Sequence, residues 1–98
     1  MNEFTIKYQL AKEFAIDEIK FDSDSGYGCG TSFVTIKWNQ FCREMKKQGL
    51  VRKDGYYGWI LETDEPVSGT LEQEKYNQAF ARSLSEQGVF AFVHTYLT

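Results

Sequence analysis

One histidine, one proline and two cysteines are all that this 98-residue chain offers of the residues most often recruited for metals, rigid turns and covalent chemistry. A single histidine leaves few metal ligands, and neither cysteine belongs to a CxxC pair. Cys29 sits in a glycine-rich stretch and Cys42 in a helical pattern, so both read as reduced thiols of a cytosolic protein, with a mutual disulfide as the alternative. No segment approaches the run of about 20 apolar residues that spans a bilayer. The start, Met1-Asn2-Glu3-Phe4, lacks the basic region and apolar run of a signal peptide, which again predicts a cytoplasmic location. Positive charge is also in deficit, with 11 Lys and Arg against 14 Asp and Glu and a net charge of −3. That balance argues against general attraction to nucleic acid. No cofactor or metal is expected, and the scarcity of catalytic residue types points to a non-enzyme.

What the chain has instead is rings: eight Phe, six Tyr and two Trp, 16% of its residues. Each buries a large area, enough for a core without covalent staples. The length fits one domain over residues 1–98. Such a domain buries roughly 60–70% of the surface exposed in the unfolded chain.

Local patterns outline the elements. Phe4, Ile6, Tyr8 and Leu10 alternate with Thr5, Lys7 and Gln9, the pattern of a half-buried strand over 3–10. Ala11, Phe14, Ala15 and Ile19 suggest a short helix near 12–19, and DSDSGYGCGT (22–31) a loop. SFVTI (32–36) reads as a strand. Trp38, Phe41, Cys42 and Met45 recur at helical spacing, and Gly49 with Leu50 fits a Schellman ending. Asp54-Gly55 between two β-rich runs predicts a hairpin with a type I′ turn. A loop around Pro66 follows. Thr70 and Gln73 form a capping box for a helix that keeps Tyr76, Ala79, Phe80 and Leu84 on one stripe and closes at Gly88. In the last strand, 89–97, Val89, Ala91, Val93 and Leu97 share one face and Phe90, Phe92, His94 and Tyr96 the other. A strand apolar on both faces suggests a central position or an aromatic face covered by something else.

Residues 38–50 (WNQFCREMKKQGL) and 76–89 (YNQAFARSLSEQGV) echo one another. Two sheet-packed helices ending in glycine account for the likeness, and duplication of a helix–Gly–strand unit is the alternative. The predicted order, β-α-β-α-β-β-α-β, defines an α+β fold: a small mixed or antiparallel sheet of about five strands with two main helices and one short one.

None of the residues assembles an active site. His94 has no nearby acid or thiol in sequence, and Cys29 lacks a nucleophile signature around it. The Gly26-x-Gly28-x-Gly30 spacing misses both the dinucleotide fingerprint and the P-loop. Asp22-Ser23-Asp24-Ser25-Gly26-Tyr27 lacks the EF-hand's terminal Glu.

Charge, by contrast, segregates. Glu62, Asp64, Glu65, Glu72 and Glu74 give five acids and no base over 62–74, and Glu13, Asp17, Glu18, Asp22 and Asp24 oppose only Lys20 over 13–24. Between them, Arg43, Lys46, Lys47, Arg52 and Lys53 oppose only Glu44. A solvated face explains any one of these runs. Together they allow two opposite binding modes. Converging carboxylates would imitate a phosphate backbone and occupy a basic groove on another protein. Alternatively, the basic helix end and hairpin at 43–59, with Tyr56, Tyr57 and Trp59, would contact DNA as a helix and wing.

With FTIKYQLAKEF, DSDSGYGCG and KWNQFCREMKKQG in a small acidic α+β chain, the sequence resembles the anti-CRISPR proteins of phages and mobile elements, nearest those acting on type I-F surveillance (Csy) complexes. The resemblance implies a phage-encoded protein inhibitor at work in a bacterial cell. Its partner would be a Cas protein subunit of the complex with a basic DNA-recognition surface. The inhibitor would act as a DNA mimic, and Asp17, Glu18, Asp22, Asp24, Glu62, Asp64, Glu65, Glu72 and Glu74 are the residues to carry that contact. The basic segment 43–53 departs from a uniformly acidic mimic.

Overall fold

The structure, a computed structural model, describes residues 2–20, 30–64 and 70–97. The chain opens on a helix, α1 (Glu3–Lys20), where alternation had predicted a strand over 3–10. The physical reason lies in which residues are buried. Tyr8, Ala11 and Ala15 are in the core and Phe4 packs against it, a helical stripe, while Ile6 and Leu10 are about half exposed. Two periodicities overlapped in the first eight residues, and the helical one continues to Lys20. Asn2 begins the helix, its side-chain oxygen accepting from the Thr5 amide at 2.8 Å.

Strand β1 (Gly30–Ile36) begins two residues earlier than expected. Helix α2 (Gln40–Lys47) is capped by Asn39, whose Oδ1 accepts from the Cys42 amide at 2.8 Å. Phe41, Cys42 and Met45 are buried as predicted, but Trp38 precedes the cap and stands 52% exposed. Leu50 N–H donates to Met45 C=O and Gly49 N–H to Lys46 C=O. With Gly49 at φ +78°, this is the Schellman ending.

Strands β2 (Val51–Asp54) and β3 (Gly58–Leu61) form the expected hairpin with a different turn. Asp54 pairs with Gly58, leaving Gly55, Tyr56 and Tyr57 as a three-residue connection. The Asp54 carboxylate accepts from the amides of Tyr56 and Tyr57, and Gly58, at φ +86°, takes the left-handed position. The aspartate thus nucleates the turn with its side chain, and the required glycine is the second of the two, not the first.

Helix α3 (Thr70–Glu86) ends as α2 does: Val89 N–H donates to Leu84 C=O, Gly88 N–H to Ser85 C=O, and Gly88 lies at φ +86°. The sequence echo therefore corresponds to the same helix ending used twice. The capping box expected at Thr70 involves a side chain outside the described set. Strand β4 (Ala91–Leu97) completes the fold.

Among the described residues the architecture is α+β, with three helices and a four-stranded antiparallel sheet in the order β2-β3-β1-β4, where about five strands were predicted. From β1 onward the connectivity is β-α-β-β-α-β, a split βαβ arrangement. It makes β4 an edge strand, not the central one its composition suggested.

The three described helices lie on one side of the sheet. Helix α3 covers β1 and β4, α2 packs near β2, and α1 packs on α3 and touches α2. Lys7 meets Gln87 whereas Glu18 meets Arg82, so α1 and α3 run in opposite directions. Register puts Val34, Leu61, Val51 and Val93 on the covered face, over Tyr76, Phe80 and Leu84. A polar network ties α3 to the sheet. Asn77, fully buried, donates to Ser32 Oγ at 3.1 Å and accepts from Thr63 Oγ1 at 2.6 Å, and Thr95 Oγ1 donates to Ser32 Oγ. No described helix is long and apolar enough to cross a membrane.

Candidate functional site

The opposite face of the sheet carries no described helix, and rings fill it. Phe33 of β1, Phe92, His94 and Tyr96 of β4, and Ile60 of β3 project there by register, since each neighbours a residue committed to the covered face. Tyr57 folds back from the hairpin over β1. Its ring meets Phe33 edge-on at 5.0 Å between centroids, His94 at 5.0 Å and Tyr96 at 5.8 Å. Phe33 stacks on His94 at 5.4 Å with 22° between planes and lies 5.9 Å from Tyr96. Tyr56 adds an edge contact to Tyr57 at 4.6 Å and is 85% exposed.

This raft is anchored from below. Thr35 Oγ1 and His94 Nε2 lie 3.0 Å apart, so the one histidine of the chain is held in a hydrogen bond within the raft. Ile60 is buried though outside the main core cluster, covered from the raft's side. The Tyr96 hydroxyl is pushed above its ordinary pKa by partial desolvation first, then by the Tyr56 phenol and the Asp54 carboxylate. Beside Phe33 runs a small groove of about 140 Å³ lined by Thr31, Phe33, Arg52, Ile60 and Glu62. Arg52 and Glu62 form an ion pair there at 3.2 Å.

The predicted basic residues divide between the two faces. Arg52 projects onto the open one, while Lys53 pairs with Trp59 in register and faces the other way. There Lys46 lies 5.7 Å from the Trp38 ring centre and 5.1 Å from that of Trp59, and Lys53 5.6 Å from Trp59, all within reach of a cation–π attraction. The two tryptophans are 4.8 Å apart. Arg43 and Lys47 are exposed on α2.

The predicted acidic residues are less uniform in space than in sequence. Glu18 pairs with Arg82 at 3.1 Å, Asp64 with Lys12 at 2.8 Å, and Glu62 with Arg52. Asp17 is exposed near the end of α1, and Glu72 and Glu74 are half-buried near the start of α3, with Glu74 accepting from Gln78. Glu18, held by Arg82, shares a shallow pocket with Lys75, so bases are interleaved with the acids of α1 and α3. Asp22, Asp24 and Glu65 fall outside the described residues, as do Cys29 and the loop glycines Gly26 and Gly28. Cys42 is buried, and its thiol is pushed above the ordinary 9.0 by desolvation, against smaller opposing effects of the Asn39 hydrogen bond and the Lys46 charge.

Sequence reasoning found the rings of β4 but not the raft. Phe33 and Tyr57 join it only through strand pairings remote in the chain, and no local signal announces those. Compared with known protein families, curated proteins and solved structures, the chain matches none.

Proposed function

We propose that this is a non-catalytic binding protein that takes single-stranded nucleic acid on the open face of its sheet. The observation that carries this reading is the contiguous raft of Phe33, Tyr57, His94 and Tyr96 on an uncovered four-stranded antiparallel sheet, with Arg52 projecting beside it. Unpaired bases present flat apolar surfaces, and stacking one on an aromatic side chain is worth about 1–3 kcal/mol. A duplex hides those surfaces. Four-stranded sheets with exposed aromatics are a recurrent platform for splayed bases. Arg52, which projects onto this face, supplies a phosphate contact despite the acidic total. This reading keeps the basic hairpin but replaces duplex-groove insertion with stacking, because α2 is eight residues long and Lys46 is held over two tryptophans.

The test is fluorescence anisotropy with a labelled oligonucleotide of about 10 nucleotides, single-stranded or duplex, between about 50 and 200 mM salt. Single strands bind and duplexes do not. Tyr57→Ser weakens binding about tenfold or more, and Arg52→Ala lowers the salt dependence. Equal binding of Tyr57→Ser, or preference for duplex, would overturn the reading.

A second reading rests on the acidic residues of the two long helices, Asp17 and Glu18 of α1 and Glu72 and Glu74 of α3. On it the chain is an anti-CRISPR inhibitor, with those carboxylates occupying a basic DNA-recognition surface of a Cas subunit in a type I-F surveillance complex. Reversing the four to Lys abolishes capture of that complex on this reading and leaves oligonucleotide binding intact on the first.

A further inference from the structure

The two edges of the sheet are built on different principles. Edge β2 is four residues long, and three of them, Arg52, Lys53 and Asp54, are charged. Short length and charge are how edge strands are kept from pairing with other chains. Edge β4 has neither protection. It is seven residues long, and no charged residue or proline occurs from Gln87 to Thr98.

Its composition is that of an interior strand, apolar on both faces, yet its burial is that of an edge. In β1, Ser32, Val34, Thr35 and Ile36 are all buried. In β4, Ala91, Val93, His94 and Thr95 are only half-buried, and Phe92 and Tyr96 are 50% and 42% exposed. Phe90, just before the strand, is 69% exposed. Among the described residues β4 pairs with β1 alone, so one row of its backbone N–H and C=O groups faces outward.

We propose that this edge is closed by β4 of a second copy of the chain, antiparallel and across a two-fold axis near His94, making a continuous eight-stranded sheet. Identical strands can pair this way in a closed, self-complementary dimer. An uncharged strand suits that partner in particular, because it sets no like charges against its own copy. In the register centred on His94, Phe92 stands opposite the second copy's Tyr96, and Val93 opposite the second copy's Thr95. Aromatic rings then meet across the axis on the open face, and smaller side chains on the covered one. Eight strands lie within the ordinary range for an open sheet. The pairing uses the edge and leaves the open face free, so it stands independently of nucleic-acid binding.

Sedimentation equilibrium across a protein dilution series tests it. The wild-type chain gives twice the 11.4 kDa monomer mass at the upper end of the series. Phe92→Lys, with unchanged circular dichroism, weakens dimerisation at least tenfold, while Tyr56→Lys at the hairpin tip leaves it unchanged. His94→Cys forms an intermolecular disulfide under mild oxidation, because directly opposed strand residues lie within about 4.5–5.5 Å, inside disulfide reach. A wild-type chain that stays monomeric throughout overturns the proposal, and so does a strand from another protein added to the edge of such a monomer. So do a Phe92→Lys variant that dimerises like wild type and a His94→Cys variant that does not cross-link.

Discussion

The two faces of the sheet are both rich in apolar side chains, yet they solve opposite problems. On the covered face the strands present mostly aliphatic residues, Val34, Ile36, Val51, Leu61 and Val93, to large buried side chains of the helices such as Phe41, Met45, Tyr76 and Phe80. Polar groups there are matched: Tyr76 donates to Thr63 C=O at 2.7 Å. Among the described residues no buried side-chain polar atom lacks a partner, as close packing demands. On the open face the residues are aromatic and amphipathic, with ring edges, phenols and an imidazole toward water. Aliphatic side chains there would gain little from being half-covered. Rings pack edge to face on one another and still leave a surface to offer. The contrast teaches that one face is closed by the chain's own helices, while the other leaves its rings at the surface.

The sharpest way to break the comparison is to remove a ring from the covered side. Phe80 is fully buried against Tyr8 and Tyr76. Phe80→Ala destabilises the fold by about 3–5 kcal/mol in chemical denaturation. Tyr57→Ser on the open side changes stability by far less and acts mainly on ligand binding. Equal destabilisation by the two would show that the raft is a second core and not a contact surface. Next in size is Asn77→Ala, which leaves Ser32 and Thr63 without their buried partner. That loss costs about 1–3 kcal/mol in the same denaturation experiment.

The smallest effect is at Cys42. Its folded pKa lies above the unfolded value. Its contribution to stability is therefore complete below about pH 9 and is lost as pH rises through the folded value. The folded protein thus resists alkylation at Cys42 at neutral pH and becomes alkylated there on denaturation, as peptide mass mapping would record. Rapid labelling in the native state would contradict this.

How much of this was legible beforehand depends on the range of the signal. The endings at Gly49 and Gly88 were readable because a Schellman motif is complete within about six residues. The α3 stripe and the alternation of β4 were likewise local. Residues 3–10 misled because Phe4 and Tyr8 satisfy both a two-residue and a four-residue repeat, and only Ala11 and Ala15 break the tie. The charge runs were real in sequence, but Glu18 with Arg82 and Asp64 with Lys12 show how distant bases offset them. The raft was illegible for the same reason in reverse. Tyr57 and His94 are 37 positions apart in the chain, and only the sheet order brings their rings within 5.0 Å.

The buried network around Asn77 has one further consequence, which concerns parity. Along a strand, odd and even positions belong to opposite faces, and a slip of one residue exchanges them. Hydrophobicity alone would police such a slip weakly in β4, because both of its faces are apolar. Phe92, His94 and Tyr96 could replace Val93 and Thr95 beneath α3 with little loss of greasy surface. Thr95 weighs against that slip, since its hydroxyl donates to Ser32 Oγ, which Asn77 also holds. The outward aim of the rings is thus favoured from the far side of the sheet, by a hydroxyl contact that no ring makes.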